Sequence, residues 1–140
     1  MSTTEAPAPK RPQPTANPAS GPFWEATRDR RYLVQFSTDC GRAVFYPRTV
    51  CPHCGGTAMQ WRPSTGAGTV YTFTVEHRPA PAFGAEPYVV ALVALDEGIR
   101  VMTNLVDVDP GQVRVGMPVE LTWAPLDDGR NLPLWRPAGA

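Results

Sequence analysis

Apolar and polar positions fall into three regimes along the chain. Residues 1–22 carry six prolines and no Val, Ile, Leu or aromatic residue. So little apolar surface cannot offset the entropy of ordering the segment, which predicts a disordered, extended tail. The character changes at FWEATRDRRYLVQF (23–36). Phe23, Trp24, Thr27 and Arg31 recur at helical spacing and predict a short helix over 23–31. The Phe23–Trp24 pair at its start suits a partner's groove, or equally a cap over the next module. Tyr32–Phe36 reads as extended.

From residue 66 the period becomes two. In TVYTFTVE (69–76), Tyr71, Phe73 and Val75 alternate with Thr72 and Thr74, predicting a half-buried strand. HRPAPAFGAEP (77–87) holds three prolines and is a loop, because proline cannot sit in a central strand. YVVALVAL (88–95) is a continuous apolar strand, Asp96-Glu97-Gly98 a turn, and IRVMTNLV (99–106) its hairpin partner. DVDPGQVRVGMP reads as a loop or short helical turn. VELTWAPL (119–126) is a further strand with Val119, Leu121 and Trp123 on one face. Asp128-Gly129 turns the chain into LPLWRP. Four or five strands of this length are too few for a large sandwich. A small barrel of the OB type hides their edges with the least chain. The fold class is therefore mostly β: a tail over 1–22, a helix and ribbon module over 23–65, and a barrel over 66–140.

Composition narrows the function classes. The 140 residues are 42% hydrophobic and 19% charged, with zero net charge and a pI near 6.7. A protein that coats a phosphate backbone is usually strongly basic, so nucleic acid is disfavoured as a partner. No apolar run reaches membrane-spanning length, and no signal-peptide core opens the chain, which reads as cytoplasmic. The charge is uneven. Residues 23–62 hold six Arg and three acids, and residues 63–140 five Arg and nine acids. A mildly basic ribbon fits an anionic ligand or an acidic partner surface, or a solvated face of no special role.

The ribbon carries the candidate metal chemistry. In STDCGRAVFYPRTVCPHCG (37–55), Cys51 and Cys54 form one complete C-x2-C knuckle, with Gly55 permitting the turn. Cys40-Gly41 ends a second knuckle, but its first corner is Ser37. Structural zinc sites close with four Cys or His ligands. Spacing here supplies three, Cys40, Cys51 and Cys54, and a serine hydroxyl is a poor zinc ligand at neutral pH. His53 lies inside a knuckle, where side chains point outward, and His77 is far along the chain. Two options stand: three cysteines completed by water or Ser37, or a ribbon without its metal. The count points to zinc held weakly or not at all, and disfavours a four-cysteine iron centre.

No catalytic constellation emerges. Glu76 and His77 are adjacent on a strand end and face opposite ways. The chain has no G-x-S-x-G, phosphate loop or H-E-x-x-H. An open zinc site could be catalytic, but nothing near it in sequence looks like a general base pair, and ribbons of this kind are generally exposed staples. A barrel binding single strands through Tyr71 and Phe73 is the alternative function, opposed by the acidic balance of the barrel.

A set of ordered motifs carries a resemblance. FWE (23–25), FYPR (45–48), CPHCG (51–55), GTVYTFTV (68–75), PYVVALVALDEG (87–98), TNLV (103–106), VGMPVEL (115–121) and LPLWRPA (132–138) run in sequence. Together they resemble the zinc-ribbon/OB-fold acyl-CoA-associated family catalogued as domain of unknown function thirty-five. Ser37 departs from that family's first C-x2-C-G knuckle. The resemblance implies an N-terminal helical segment, a rubredoxin-like zinc ribbon and an OB barrel. It also implies a non-catalytic accessory subunit of thiolase-superfamily enzymes, thiolases or lipid-transfer-protein-like aldolases of sterol side-chain breakdown. Such subunits stabilise the partner and shape acyl-CoA access; some members associate with hotdog-fold hydratases. A dimeric partner implies a two-plus-two assembly. Within that reading, contacts with partner or acyl-CoA are expected at Phe23, Trp24, Arg42, Tyr46 and Arg48 on helix and ribbon. A second set, His77, Arg78, Phe83 and Tyr88, surrounds the proline-rich loop.

Overall fold

The computed structural model describes residues 11–139. The first ten residues of the expected tail lie outside the described residues. Residues 11–16 follow the barrel surface. Arg11 Nη2 donates to Asn104 Oδ1 at 2.8 Å, and its guanidinium covers the Phe83 ring. The Asp127 amide donates to Gln13 Oε1, and Arg130 Nη2 to the Pro14 carbonyl. An apolar core is not what places this segment: charged and amide side chains do.

The helix is shorter than its spacing predicted. α1 spans Gly21–Ala26, with Pro22 in its first turn where no intrahelical N–H is needed. A 3-10 turn over Thr27–Asp29 follows, and Arg30 at φ 55° stops it. Thr27 Oγ1 donates back to the Trp24 carbonyl at 2.6 Å, drawing the chain out of the α ladder.

The ribbon sheet has the order β2-β1-β3, from β1 (Leu33–Ser37), β2 (Ala43–Val44) and β3 (Met59–Pro63). Both pairings are antiparallel, with Gln35 opposite Val44 and Trp61. The second module is a closed barrel of β4 (Gly68–Glu76), β5 (Tyr88–Leu95), β6 (Arg100–Leu105), β7 (Pro118–Pro125) and β8 (Asn131–Pro137). Its order, β4-β5-β6-β8-β7, leaves no open edge, because Gly68 of β4 pairs Val119 of β7. This is an OB-type barrel. Gly68 is required at that closure: an added Cβ would stand 2.4 Å from the Ala94 carbonyl oxygen.

Alternation along β5 turns Val89, Ala91, Val93 and Leu95 inward, where they meet Val70, Val101, Val119 and Trp135. Trp135 is 1% exposed, and its Nε1 donates to the Gly66 carbonyl at 2.8 Å. The alternation expected through Tyr71, Phe73 and Val75 is corrected. A bulge between Val70 and Thr72 shifts the register, so Phe73 and Val75 pack on the core while Tyr71 points outward. Arg100 then covers the Tyr71 ring at 3.9 Å.

The two modules share one core. Phe23, which the sequence left open between a partner contact and a cap over the next module, is only 8% exposed. It packs edge-on against Tyr32, and Tyr32 against Trp135 of the barrel. A polar clasp reinforces this junction: Asn131 Nδ2 donates to the Thr27 carbonyl at 2.8 Å, and the Asn131 amide to Thr27 Oγ1. Burial raises the Tyr32 hydroxyl pKa well above that of a free phenol, with the nearby negative charge of Glu97 adding to the effect.

Candidate metal centre and contact surfaces

The two knuckles sit at one end of the ribbon sheet. Ser37 ends β1, Cys40 follows its turn, and Cys51 and Cys54 lie in the loop before β3. The three sulfurs lie within 4.8 Å of one another. Cys40 Sγ and Cys51 Sγ are 3.8 Å apart. Two thiolates on one tetrahedral zinc, each with a bond of about 2.3 Å, stand about 3.8 Å apart. The donor set therefore fits a zinc ion. Ser37 Oγ lies 3.5 Å from Cys54 Sγ, and Ser37 is fully buried.

Backbone amides point at the sulfurs, as thiolates require. His53 N–H donates to Cys51 Sγ and Gly56 N–H to Cys54 Sγ, each at 3.4 Å. Burial pushes the Cys51 thiol up. The amides of His53 and Cys54, with the side chains of Ser37 and Cys54, outweigh that and draw it down to about 7. The His53 ring turns away, its Nε2 lying 3.3 Å from the Ala43 carbonyl. The structure brings Cys40, Cys51, Cys54 and Ser37 together and leaves His77, exposed at the end of β4, outside that group.

The expected contact residues scatter more widely. Arg42, Tyr46 and Arg48 are exposed on the ribbon. Gln35 fixes the Arg48 backbone by accepting from its amide and donating to its carbonyl. Of the two readings open for Phe23, the structure takes the core cap: its ring closes the junction between helix and barrel, which removes it from the exposed contact set. Trp24 is half-buried beneath Arg130. On the other side His77 and Arg78 are exposed, while Phe83 and Tyr88 stack on each other with ring centroids 5.7 Å apart.

Helix, ribbon loop and barrel enclose a cleft of about 410 Å³, lined by Trp24, Phe45, Tyr46, Met102 and Pro133 among others. Tyr46 is 58% and Met102 63% exposed at its edge. Met102 was not singled out from the sequence. Its outward place follows from strand alternation between buried Val101 and Thr103, the one signal that could have found it.

Comparison with known proteins places these modules. Residues 24–60 match the family model "ChsH2, rubredoxin-like zinc ribbon domain", and residues 61–124 match "ChsH2, C-terminal OB-fold domain". A "Probable enoyl-CoA hydratase alpha subunit" of Thermomonospora curvata is 41% identical over 97% of this chain and 43% of its own length. A "3-oxo-4,17-pregnadiene-20-carboxyl-CoA hydratase alpha subunit" of Mycobacterium tuberculosis is 30% identical over 89% of this chain and 40% of its own. The chain thus spans less than half the length of these two relatives. A "DUF35 domain-containing scaffold protein" of Pyrococcus furiosus is 34% identical over 71% of this chain and 74% of its own length. Among solved structures, a chain of the "Ltp2-ChsH2(DUF35) aldolase" superposes with a TM-score of 0.81 at 41% identity. That match covers 90% of this chain and 99% of the other. The chain belongs to the DUF35 family of proteins that join a ChsH2-type zinc ribbon to an OB-fold barrel.

Proposed function

We propose that this chain is a non-catalytic accessory subunit of an acyl-CoA aldolase or hydratase assembly in steroid side-chain degradation. The observation that carries the reading is its match over 99% of a chain from the "Ltp2-ChsH2(DUF35) aldolase". The steroid-CoA hydratase subunit of M. tuberculosis and the archaeal scaffold protein support the same class. The partner is a thiolase-superfamily protein of the lipid-transfer-protein kind, and it supplies the catalytic residues. The assembly is a cytoplasmic two-plus-two hetero-oligomer, and acyl-CoA is its ligand. Zinc in the ribbon is structural: it fixes the knuckles that present Arg42, Tyr46 and Arg48. His77 and Arg78 offer a second cationic edge, beside the stacked Phe83 and Tyr88. Guanidinium groups suit carboxylate or phosphate partners, and exposed aromatics anchor interfaces.

Native affinity purification, with identification of the co-eluting chain by mass spectrometry, tests this reading. A stoichiometric aldolase of the thiolase superfamily, or a hydratase subunit, is the expected result. A chain that elutes alone or with nucleic acid would overturn it.

A further inference from the structure

The geometry points to Ser37 Oγ as the fourth ligand of a Cys3Ser zinc site in the ribbon. The first argument is the likeness of the two knuckles. In one, Gly41 N–H donates to the Ser37 carbonyl at 2.7 Å; in the other, Gly55 N–H donates to the Cys51 carbonyl at 2.9 Å. The two glycines have φ of 75° and 76°. Cys40 N–H donates to Ser37 Oγ at 3.3 Å and His53 N–H to Cys51 Sγ at 3.4 Å, so each corner atom accepts from a backbone amide of its own turn. The serine therefore occupies a ligand corner whose backbone is built as a cysteine knuckle, and only the donor atom differs.

The second argument is distance. With metal–sulfur and metal–oxygen bonds of about 2.3 and 2.1 Å, a tetrahedral oxygen and sulfur stand about 3.6 Å apart. Ser37 Oγ and Cys54 Sγ are 3.5 Å apart. The third argument is burial. Ser37 is fully buried and its side-chain partners are the Cys40 amide and a ligand sulfur, so this corner is filled by the protein's own oxygen. A hydroxyl has two acceptor lone pairs. The Cys40 amide takes one and the other is left for the ion.

Two properties follow. Three thiolates and a neutral hydroxyl give the zinc site a net charge of −1, where four thiolates would give −2. A hydroxyl also donates less strongly than a thiolate, so zinc exchanges more readily than from a four-cysteine ribbon. The inference rests on the ribbon holding zinc and on no partner or substrate.

The test uses the full chain in three forms, wild type, Ser37→Ala and Ser37→Cys, each loaded with zinc. Competition against a chromogenic chelator gives relative affinity, and zinc X-ray absorption gives the donor atoms. The expected wild-type shell is three sulfurs and one oxygen. Ser37→Ala should lose about tenfold or more in affinity, and Ser37→Cys should gain at least as much with a fourth sulfur. Equal competition by wild type and Ser37→Ala would assign the fourth corner to water and overturn the proposal. If Ser37→Ala fails to fold, Ser37→Cys decides. An unchanged affinity with three sulfurs in that variant places residue 37 outside the shell. A wild type that takes up no zinc removes both this inference and the structural role given to the metal, while leaving the partner reading intact.

Discussion

The ribbon and the barrel solve the same problem by different means. The barrel buries a continuous set of branched side chains, Val70, Val89, Val93, Val101 and Val119, around Trp135. Each such side chain contributes roughly 1.5–3 kcal/mol on leaving water, and closure of the sheet satisfies its backbone. In the ribbon's distal half, by contrast, Val44 and Cys51 are the buried apolar side chains among residues 37–60. That half is held by three sulfurs, amide–sulfur bonds and the Gln35 grip on Arg48. Its proximal half borrows the barrel's core through Phe23 and Tyr32. A module that cannot build its own core uses side-chain chemistry at one end and a neighbour's core at the other.

The contrast can be broken in a graded series. Trp135→Ala removes the ring at the centre of the shared core and its bond to Gly66. It should cost about 3–5 kcal/mol, unfolding both modules together in a urea titration. Asn131→Ala removes one of the two donors to the Thr27 carbonyl and leaves the Arg30 amide in place. A loss of about 0.5–1.5 kcal/mol is expected, with helix amides exchanging faster than barrel amides. Cys51→Ala should abolish zinc retention and expose amides 37–60 to hydrogen exchange, while the barrel melt moves by less than about 1 kcal/mol. If the barrel melts with the ribbon, the two supports are not separable. The smallest effect on stability belongs to Tyr46→Ala combined with Arg42→Ala. These exposed changes should stay within about 0.5 kcal/mol in a thermal melt while weakening partner binding measured by calorimetry.

Legibility followed the same divide. Strand β5 falls on residues 88–95 as read, because an uninterrupted apolar run bounded by Pro87 and the Asp96-Glu97-Gly98 turn admits little else. The glycine-marked knuckles are equally plain, since Cys-x2-Cys-Gly fixes both turn and chemistry. Strands β2 and β3 were not legible: two residues in one case and MQWRP in the other carry no alternation of their own. They are strands because β1 lies between them. Tyr71 was misplaced because a bulge leaves no mark in a run of Thr and aromatic residues. Phe23 stood open between a partner contact and a cap over the next module, because its burial depends on Tyr32 and on barrel residues distant in sequence. Spacing also identified Ser37 as the odd corner, yet only the matched hydrogen bonds of the two knuckles show that the corner kept its shape.

The accessory-subunit account is tested most directly by reconstitution. The purified chain is mixed with a purified aldolase subunit of the lipid-transfer-protein kind. Native mass spectrometry then gives the composition, and a steroid side-chain acyl-CoA substrate reports carbon–carbon cleavage. The account predicts a two-plus-two complex, cleavage that rises when the chain is added, and none from the chain alone. Separate species at micromolar concentration with an unchanged cleavage rate, or cleavage by the isolated chain, would contradict it.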